Sequence, residues 1–203
     1  IQNAVDEIEA AGRNGTLYIP ECSINFTGTV HIGGGVNIIG AGRGKTKLYA
    51  AYGKSLFSVS TIHYGGAGLP TRISGIAFYN NHPREGRSGF AIQLRNCTDY
   101  RIDHCYFKGE YTYGISISGN PFLYHGVIDN CEIDFSNPGS YGISMSGDDE
   151  TWASDVRDVY GSENFIFIED CVFSGPHHST KSGAGAHYVL RHSTVTHSNG
   201  HPV

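Results

Sequence analysis

Apolar and polar residues alternate along most of this chain in short runs that are typical of β-strands. Residues 1–12 are the exception: apolar residues at positions 1, 4, 5, 8 and 11 follow the spacing of one helix face, and Gly12 is placed to end the helix. Beyond residue 15 the pattern predicts short strands between glycine-rich turns, at Thr16–Ile19, Val36–Ile39, Leu56–Ser60 and Phe90–Leu94. We therefore predict one amphipathic helix followed by β-structure.

Two sequence patterns repeat along the chain. The heptapeptide Tyr-Gly-Ile-Ser-Ile-Ser-Gly at 113–119 returns almost unchanged at 141–147, an interval of 141 − 113 = 28 residues. A second pattern has apolar residues at its first and sixth places, and it occupies 73–78, 102–107, 128–133, 168–173 and 190–195. Its fourth place is a cysteine or a small residue in all copies but the first, which has Ile76. Such repeats predict a solenoid in which every coil buries its apolar face on its neighbours. A right-handed parallel β-helix fits, with the leading helix capping the first coil.

Cysteine occupies the fourth place of the second pattern three times, at Cys105, Cys131 and Cys171. Stacked coils would bring neighbouring thiols to roughly 4.8 Å with parallel side-chain directions, which favours a buried thiol ladder over disulfides or a metal site. The bend between two strands falls on Asp103-His104. Asn130 holds the matching place, where a left-handed backbone would suit an asparagine.

One interval between copies of the second pattern is longer than the others. Ile102 to Ile128 is 26 residues but Ile128 to Ile168 is 40, so about 14 residues are extra, and they fall in an excursion at 147–161. A long excursion from a regular solenoid is more often functional than neutral. At 203 residues with 39% hydrophobic residues, we expect one β-helix domain over 1–203, as a candidate fragment of a longer β-helix.

Three stretches resemble a known family: Ile1-Gln-Asn-Ala-Val-Asp-Glu-Ile-Glu-Ala-Ala-Gly-Arg-Asn-Gly-Thr-Leu-Tyr-Ile-Pro20, Val36-Asn-Ile-Ile-Gly-Ala-Gly42 and Thr46-Lys-Leu48. They look like the start of pectate-lyase-like β-helix proteins of the pectin lyase superfamily, and the later coils extend the likeness over nearly the whole chain. The resemblance implies a three-faced parallel β-helix and action on polysaccharides by β-elimination or hydrolysis. It does not identify a substrate, because function belongs to the site rather than the fold.

Composition and charge argue against nucleic-acid binding and against a membrane-spanning segment. The net charge of −5 gives no basic field of the kind that draws nucleic acid. No apolar run of about 18 residues is present to span a membrane. The chain starts at Ile1 without a leader, which we interpret as a mature or excised segment. We expect a secreted or cell-surface protein whose partner is a polysaccharide.

Candidate binding residues follow from alternation along the repeated heptapeptide. If Ile115 and Ile117 point inward, the residues between them point outward and form a flat strip flanked by Tyr113 and Tyr141. The outward set is then Gly114, Ser116 and Ser118, followed one coil later by Gly142, Ser144 and Ser146, and preceded by Ala91, Gln93 and Arg95. Such a strip could hydrogen-bond the hydroxyls of a sugar chain, and a merely solvated sheet face is the alternative.

The excursion contains Trp152, the chain's one tryptophan, among several carboxylates. The indole could stack on a sugar and form one side of a binding groove. The acidic residues, which are Asp148, Asp149, Glu150, Asp155 and Asp158, could hold Ca²⁺, which prefers oxygen ligands. A solvated acidic loop is the third interpretation.

Lyases of this superfamily need a base beside the uronate carboxylate and a cation for the resulting anion. Lys181 is the candidate base, because residues 179–182 resemble the Lys-Ser segment of the alginate-lyase and chondroitinase B type. His178 is the second candidate because it lies close to Lys181, although it and His177 stand where that family has acidic metal ligands, so the metal ligands stay unknown. A hydrolase would need two carboxylates across the scissile bond. The recurring Asp103, Asp129 and Asp170 are better explained by turn chemistry.

Our leading hypothesis is a secreted polysaccharide lyase of the β-helix type that cleaves a uronate-containing glycan, with Ca²⁺ as its candidate cofactor. Its groove would run along Gln93, Arg95, Ser116, Ser144 and Lys181. The alternative is a non-catalytic carbohydrate-binding or surface-adhesion β-helix module, which could belong to a larger protein. A virion or phage tail β-helix is a third option.

Overall fold

The computed structural model describes residues 1–82, 89–119, 125–135, 139–147, 165–175, 178–183 and 186–196. In these ranges the chain forms one helix, α1 (Gln2–Ala10), and then short strands that wind around a right-handed parallel β-helix. Consecutive strands belong to different sheets, so each sheet receives one strand from every coil. The predicted fold class is confirmed.

Three parallel sheets make up the walls of the β-helix. Sheet 1 contains β1 (Gly15–Ile19), β4 (Val36–Gly40), β7 (Thr71–Ser74), β10 (Tyr100–Asp103), β13 (Gly126–Asp129), β16 (Ile166–Glu169) and β19 (Tyr188–Arg191). Sheet 2 contains β2 (Cys22–Asn25), β5 (Thr46–Tyr49), β8 (Ala77–Asn80), β11 (Tyr106–Gly109), β14 (Glu132–Asp134), β17 (Val172–Ser174) and β20 (Thr194–Thr196). Sheet 3 contains β3 (Val30–Ile32), β6 (Phe57–Ser60), β9 (Phe90–Arg95), β12 (Tyr113–Gly119), β15 (Tyr141–Gly147) and β18 (His178–Gly183). The four strands predicted from alternation are β1, β4, β6 and β9, each correct to within one residue at either end.

The predicted helix caps the first coil. Val5 is fully buried in the core, and α1 packs against β1, β3 and β4. The helix ends at Ala10, and Gly12, the residue predicted to end it, follows in the turn with a φ of 97° that suits glycine. There the amides of Gly12 and Arg13 bond the carbonyls of Glu9 and Ile8, which satisfies two helix carbonyls that would otherwise lack donors. In the described part of the chain, no helix has the length and apolar character needed to cross a membrane.

The core is built from side chains that stack in register from coil to coil. In sheet 2, for example, Phe78, Phe107 and Phe173 share one inward row and are fully buried. The rings of Phe78 and Phe107 lie 5.1 Å apart at 8°, an arrangement that adds about 0.5–1.5 kcal/mol beyond area burial. Identical neighbours thus hold the coils in one register.

The bend between sheets 1 and 2 has the same conformation in coil after coil. His104, Asn130, Asp170 and His192 all have φ between 51° and 53°, and Gly75 holds the same place one coil earlier with φ of 68°. Asn and Asp tolerate this left-handed region better than most residues. The predicted bend at Asp103-His104 and its match at Asn130 are confirmed.

The predicted thiol ladder is also present. Cys105, Cys131 and Cys171 are buried and unoxidised, and each Sγ donates to a backbone carbonyl of its own coil at 3.1–3.3 Å. Burial raises the pKa of the Cys131 thiol well above its usual range. These thiols act as small apolar side chains in the core.

Candidate functional site

The outer face of sheet 3 carries a continuous band of polar side chains that we call the polar strip. Its central row consists of Ser58, Gln93, Ser116, Ser144 and Lys181, which are direct neighbours on adjacent strands. A second row two residues further along each strand consists of Ser60, Arg95, Ser118, Ser146 and Gly183. Five strands at about 4.8 Å spacing make the strip roughly 19 Å long.

The strip is flat in its middle because serine dominates there. Ser58 and Ser144 are largely buried between their neighbours, at 7% and 9% exposure, so their hydroxyls lie close to the sheet surface. Arg95 and Lys181, by contrast, are exposed. The arrangement is a shallow track with hydroxyl groups along its floor and one cation towards each end.

Three predicted members of the strip face the core instead. A Cβ at Gly114 would lie 3.1 Å from the ring of the buried Phe135, and one at Gly142 would lie 3.0 Å from that of Phe173, so both glycines face the core. Ala91 is fully buried in the core as well. Strict alternation fails here because the strand bends into sheet 3 at this place, and two successive residues, such as Gly114 and Ile115, both face inward.

The same bend turns the residue before each glycine or alanine outward and creates an aromatic row beside the strip. Phe90, Tyr113, Tyr141 and His178 are neighbours on β9, β12, β15 and β18. Their successive ring centroids are 5.4, 5.1 and 5.2 Å apart with interplanar angles of 23° or less. Rings stacked face to face along the axis of the β-helix cover one another's faces and present their edges outward. The two tyrosines therefore offer hydroxyl groups to a ligand rather than stacking surfaces.

Both predicted catalytic residues meet at Tyr141. The Nζ atom of Lys181 lies 4.9 Å from the centroid of the Tyr141 ring, and the His178 ring stacks on the same ring at 9°. Among the described residues, no carboxylate lies within ion-pair distance of the Lys181 amine. Lys181 is therefore a charge that a ligand carboxylate can reach, beside an imidazole and a phenol.

Arg95 is held within the strip by its neighbour on the same strand. With the Gln93 amide oriented so that its oxygen faces Arg95, that oxygen accepts hydrogen bonds from Nε at 3.2 Å and Nη2 at 3.1 Å. Three strand steps separate Arg95 on β9 from Lys181 on β18, which amounts to roughly 14 Å. The two cations therefore lie too far apart to bind the same small group.

The recurring aspartates lie away from the strip, at the end of sheet 1. Asp103 has no exposed side-chain surface and accepts from Nε and Nη2 of Arg72 at 2.7 and 2.9 Å. Asp129 accepts from the same two nitrogens of Arg101 at 3.0 and 2.8 Å. Only Asp170 occupies the bend itself. The first two are thus explained by arginine pairing between coils rather than by the turn chemistry we predicted.

Several predicted site residues lie outside the described residues. These are Trp152, His177 and the carboxylates of 148–158 with which we associated Ca²⁺. Where the structure is described, no group of three His, Cys, Asp or Glu side chains is arranged to hold a metal ion.

Sequence reasoning predicted the strand that became β6 but did not assign it to the polar strip, although a signal was present. Phe57-Ser-Val-Ser60 has the same apolar-serine alternation as the repeated heptapeptide, without its tyrosine and glycine. His31 extends the central row by one further strand, and its Nδ1 is 2.7 Å from the hydroxyl of Tyr64.

Comparison with known proteins gave matches among solved structures. No protein-family model and no curated protein sequence matches the chain. ORF18 of Geobacillus virus E2 superposes with a TM-score of 0.65 at 16% identity, over 93% of this chain and 36% of that protein. A protein from Parabacteroides merdae, provisionally named a glycosyl hydrolase, gives 0.54 at 15% identity, over 96% of this chain and 84% of its own. The catalytic domain of a GH87 α-1,3-glucanase bound to nigerose gives 0.47 at 16% identity, over 90% and 37%. The chain thus spans about a third of the viral protein, and what it shares with the first two proteins is the fold.

Proposed function

We propose that this protein binds an extended polysaccharide along the polar strip of sheet 3. The observation that carries the proposal is the unbroken central row from Ser58 to Lys181, in which each coil presents one polar side chain at the same height. A polymer with a repeating unit matches a surface with a repeating unit, because each unit can make the same hydrogen bonds one coil further on. The fold shared with a provisional glycosyl hydrolase agrees with a glycan ligand. An extracellular or cell-surface location belongs to the proposal.

We further propose that the glycan carries uronate residues and is cleaved by β-elimination beside Tyr141. Lys181, in its neutral form, removes the proton from the carbon next to the uronate carboxylate. The electron pair of that C–H bond forms a carbon–carbon double bond as the bond to the glycosidic oxygen breaks. His178, in its protonated form, gives its proton to the departing oxygen. Its contact with the same tyrosine as Lys181 supports this role.

The choice of elimination over hydrolysis rests on the side chains that the strip contains. Its two polar rows and its aromatic row, as far as the structure describes them, include no aspartate or glutamate, whereas a glycosidase needs two carboxylates across the scissile bond. A lysine, a histidine and a tyrosine are a set suited to proton transfer. Binding without turnover is the second candidate. If Lys181 acts as the neutral base, no other described cation of the strip lies beside it to stabilise the anion, since Arg95 is roughly 14 Å away.

A panel of polyuronates, tested with and without added Ca²⁺, distinguishes these possibilities. Elimination is expected to produce an unsaturated uronate that absorbs in the ultraviolet, and Lys181→Ala should abolish the signal while glycan binding in affinity electrophoresis persists. Lys45→Ala is the matched control, because Lys45 is exposed on the turn between sheets 1 and 2. Binding without product for every polyuronate would establish the non-catalytic function. Neither binding nor product would refute the assignment of the strip.

A further inference from the structure

A groove lies on the outer face of sheet 1, which is a different wall of the β-helix from the one that carries the polar strip. Its volume is about 380 Å³, within the range of sites that take small ligands. Two arginines and two apolar side chains form one continuous row across it: Arg72, Arg101, Val127 and Phe167 are neighbours on β7, β10, β13 and β16. The groove therefore has a cationic end and an apolar end.

The two guanidinium groups are fixed by carboxylates that lie behind them. Nε and Nη2 of Arg72 bind Asp103, and the same atoms of Arg101 bind Asp129. Side-chain exposure is 47% and 51% for the arginines but 0% and 8% for the aspartates. A guanidinium has five N–H donors, so each arginine keeps three that are not used in these pairs.

This asymmetry matters for a ligand that enters from solvent. It meets the free edges of Arg72 and Arg101, whereas the carboxylates that balance their charge are out of reach. The two groups are also held side by side at about the strand spacing of 4.8 Å. Guanidinium groups fixed in this way favour a planar carboxylate, which accepts two parallel N–H bonds, and little conformational entropy is lost on binding.

The remainder of the groove matches a small ring with hydroxyl groups. Val127 and Phe167 are partly exposed and provide an apolar surface directly beside Arg101. On the rim, Asp99 and His125 form a pair at 3.0 Å and keep further acceptor and donor capacity. A ligand with a carboxylate, an apolar ring face and hydroxyls can satisfy all three features together.

We propose that this groove is a binding site for an acidic sugar residue. The carboxylate binds the free edges of Arg72 and Arg101, the apolar ring face packs over Val127 and Phe167, and a ring hydroxyl bonds the Asp99–His125 pair. The site uses no residue of the polar strip, so it does not depend on the proposed function. An acidic peptide has the carboxylate but lacks the hydroxylated ring.

The test is a titration of the ¹⁵N-labelled chain with methyl β-glucuronide, observed by NMR at the Nε–Hε groups of its arginines. We expect the signals of Arg72 and Arg101 to shift, and the dissociation constant to be at least about tenfold lower than for methyl β-glucoside, which has a neutral hydroxymethyl group where the glucuronide has its carboxylate. Val127→Asp should weaken binding at least about tenfold, because it places a carboxylate directly beside Arg101 that repels the ligand's carboxylate and competes for the free edge of Arg101. Val172→Asp is its matched control, since Val172 is an outward valine of sheet 2 with 41% exposure.

Three results would overturn the proposal. Equal affinity for glucuronide and glucoside would show that the arginines do not select a carboxylate. Equal effects of Val127→Asp and Val172→Asp would place binding elsewhere. Tighter binding of N-acetylglutamate amide than of the glucuronide would make the groove a peptide site. The Lys181→Ala variant should bind the glucuronide in this groove with the same affinity as the parent. Loss of strip activity in that variant therefore leaves the groove proposal untouched, and the two proposals can be refuted separately.

Discussion

Replacing Asp103 by asparagine should remove a specific part of the acid sensitivity of this protein. The Asp103 carboxylate is completely buried where sheet 1 turns into sheet 2. It accepts hydrogen bonds from Arg72 at 2.7 and 2.9 Å, from the Ser74 hydroxyl at 2.6 Å and from Nδ1 of His104 at 2.8 Å. Asparagine keeps nearly the same shape but cannot carry the negative charge on which these contacts depend.

The magnitude follows from the pKa of Asp103. Burial alone would raise this pKa, but the hydrogen bonds from Arg72, Ser74 and His104 outweigh burial and lower it from 3.8 to about 2. Because the folded pKa lies below the unfolded one, the stabilisation is complete above about pH 4 and is lost as the pH falls towards about 2. A shift of 3.8 − 2 = 1.8 corresponds to about 2.4 kcal/mol, and solvent screening of the half-exposed Arg72 reduces this to about 1–2 kcal/mol.

Urea unfolding followed by circular dichroism measures this contribution. Near pH 5, the free energy of unfolding of Asp103→Asn should be about 3 kcal/mol below the parent value, since a buried ion pair is broken. Towards pH 2 the parent should lose about 1–2 kcal/mol more than the variant, so that the two curves converge. Asp6→Asn, on the exposed side of α1, is the control and should follow the parent throughout. Parallel curves for the parent and Asp103→Asn would refute this account of the buried carboxylate.

Three further predictions concern the core. Gly142→Ala should lower the free energy of unfolding by about 2–3 kcal/mol, because its Cβ would lie 2.5 Å from the Ser179 carbonyl oxygen. Gly183→Ala, whose Cβ would have no atom of a described residue within 4 Å, should change it by less than about 0.5 kcal/mol, and equal effects in urea titrations would contradict the packing described. Tyr111→Phe should raise thermal stability, by about 1 kcal/mol, because the buried hydroxyl has no hydrogen-bond partner among the described residues, and a lowered melting temperature would show that it has one. Cys22 is the one half-buried cysteine of the five, so a thiol reagent should modify one group quickly in the native protein and all five in urea; several fast thiols would argue against the buried ladder.

The sequence predicted the fold because a solenoid repeats its local pattern. Tyr113 and Tyr141 occupy equivalent places in two heptapeptides, and the structure pairs them directly. The same repetition located the polar strip and the thiol ladder. Local periodicity is sufficient to predict the fold here, since every residue of a coil contacts mainly the residues at the equivalent position in the neighbouring coils.

The features that the sequence did not predict depend on geometry between coils. Alternation placed Gly114 outward, but the bend into sheet 3 sets two successive residues inward, and a pattern of period two carries no information about such a bend. The pairing of Arg72 with Asp103 joins residues 31 positions apart, through a row that becomes visible only when the strands are aligned. The groove on sheet 1 was missed for the same reason, because its apolar and cationic residues come from four different coils.

The common register of the coils makes the β-helix a modular structure whose length can change by whole coils. Ile102 and Ile128 are direct neighbours 128 − 102 = 26 residues apart, so deletion of residues 102–127 would join β10 to β13 at equivalent places. That deletion removes β12 and brings β15 beside β9, with Ile143 taking the place of Ile115 against Ile92. The polar strip would then be shorter by one serine pair and otherwise unchanged. Under the proposed function, gain or loss of a coil would therefore set the length of glycan that fits along the strip, while the surroundings of Lys181 stay the same.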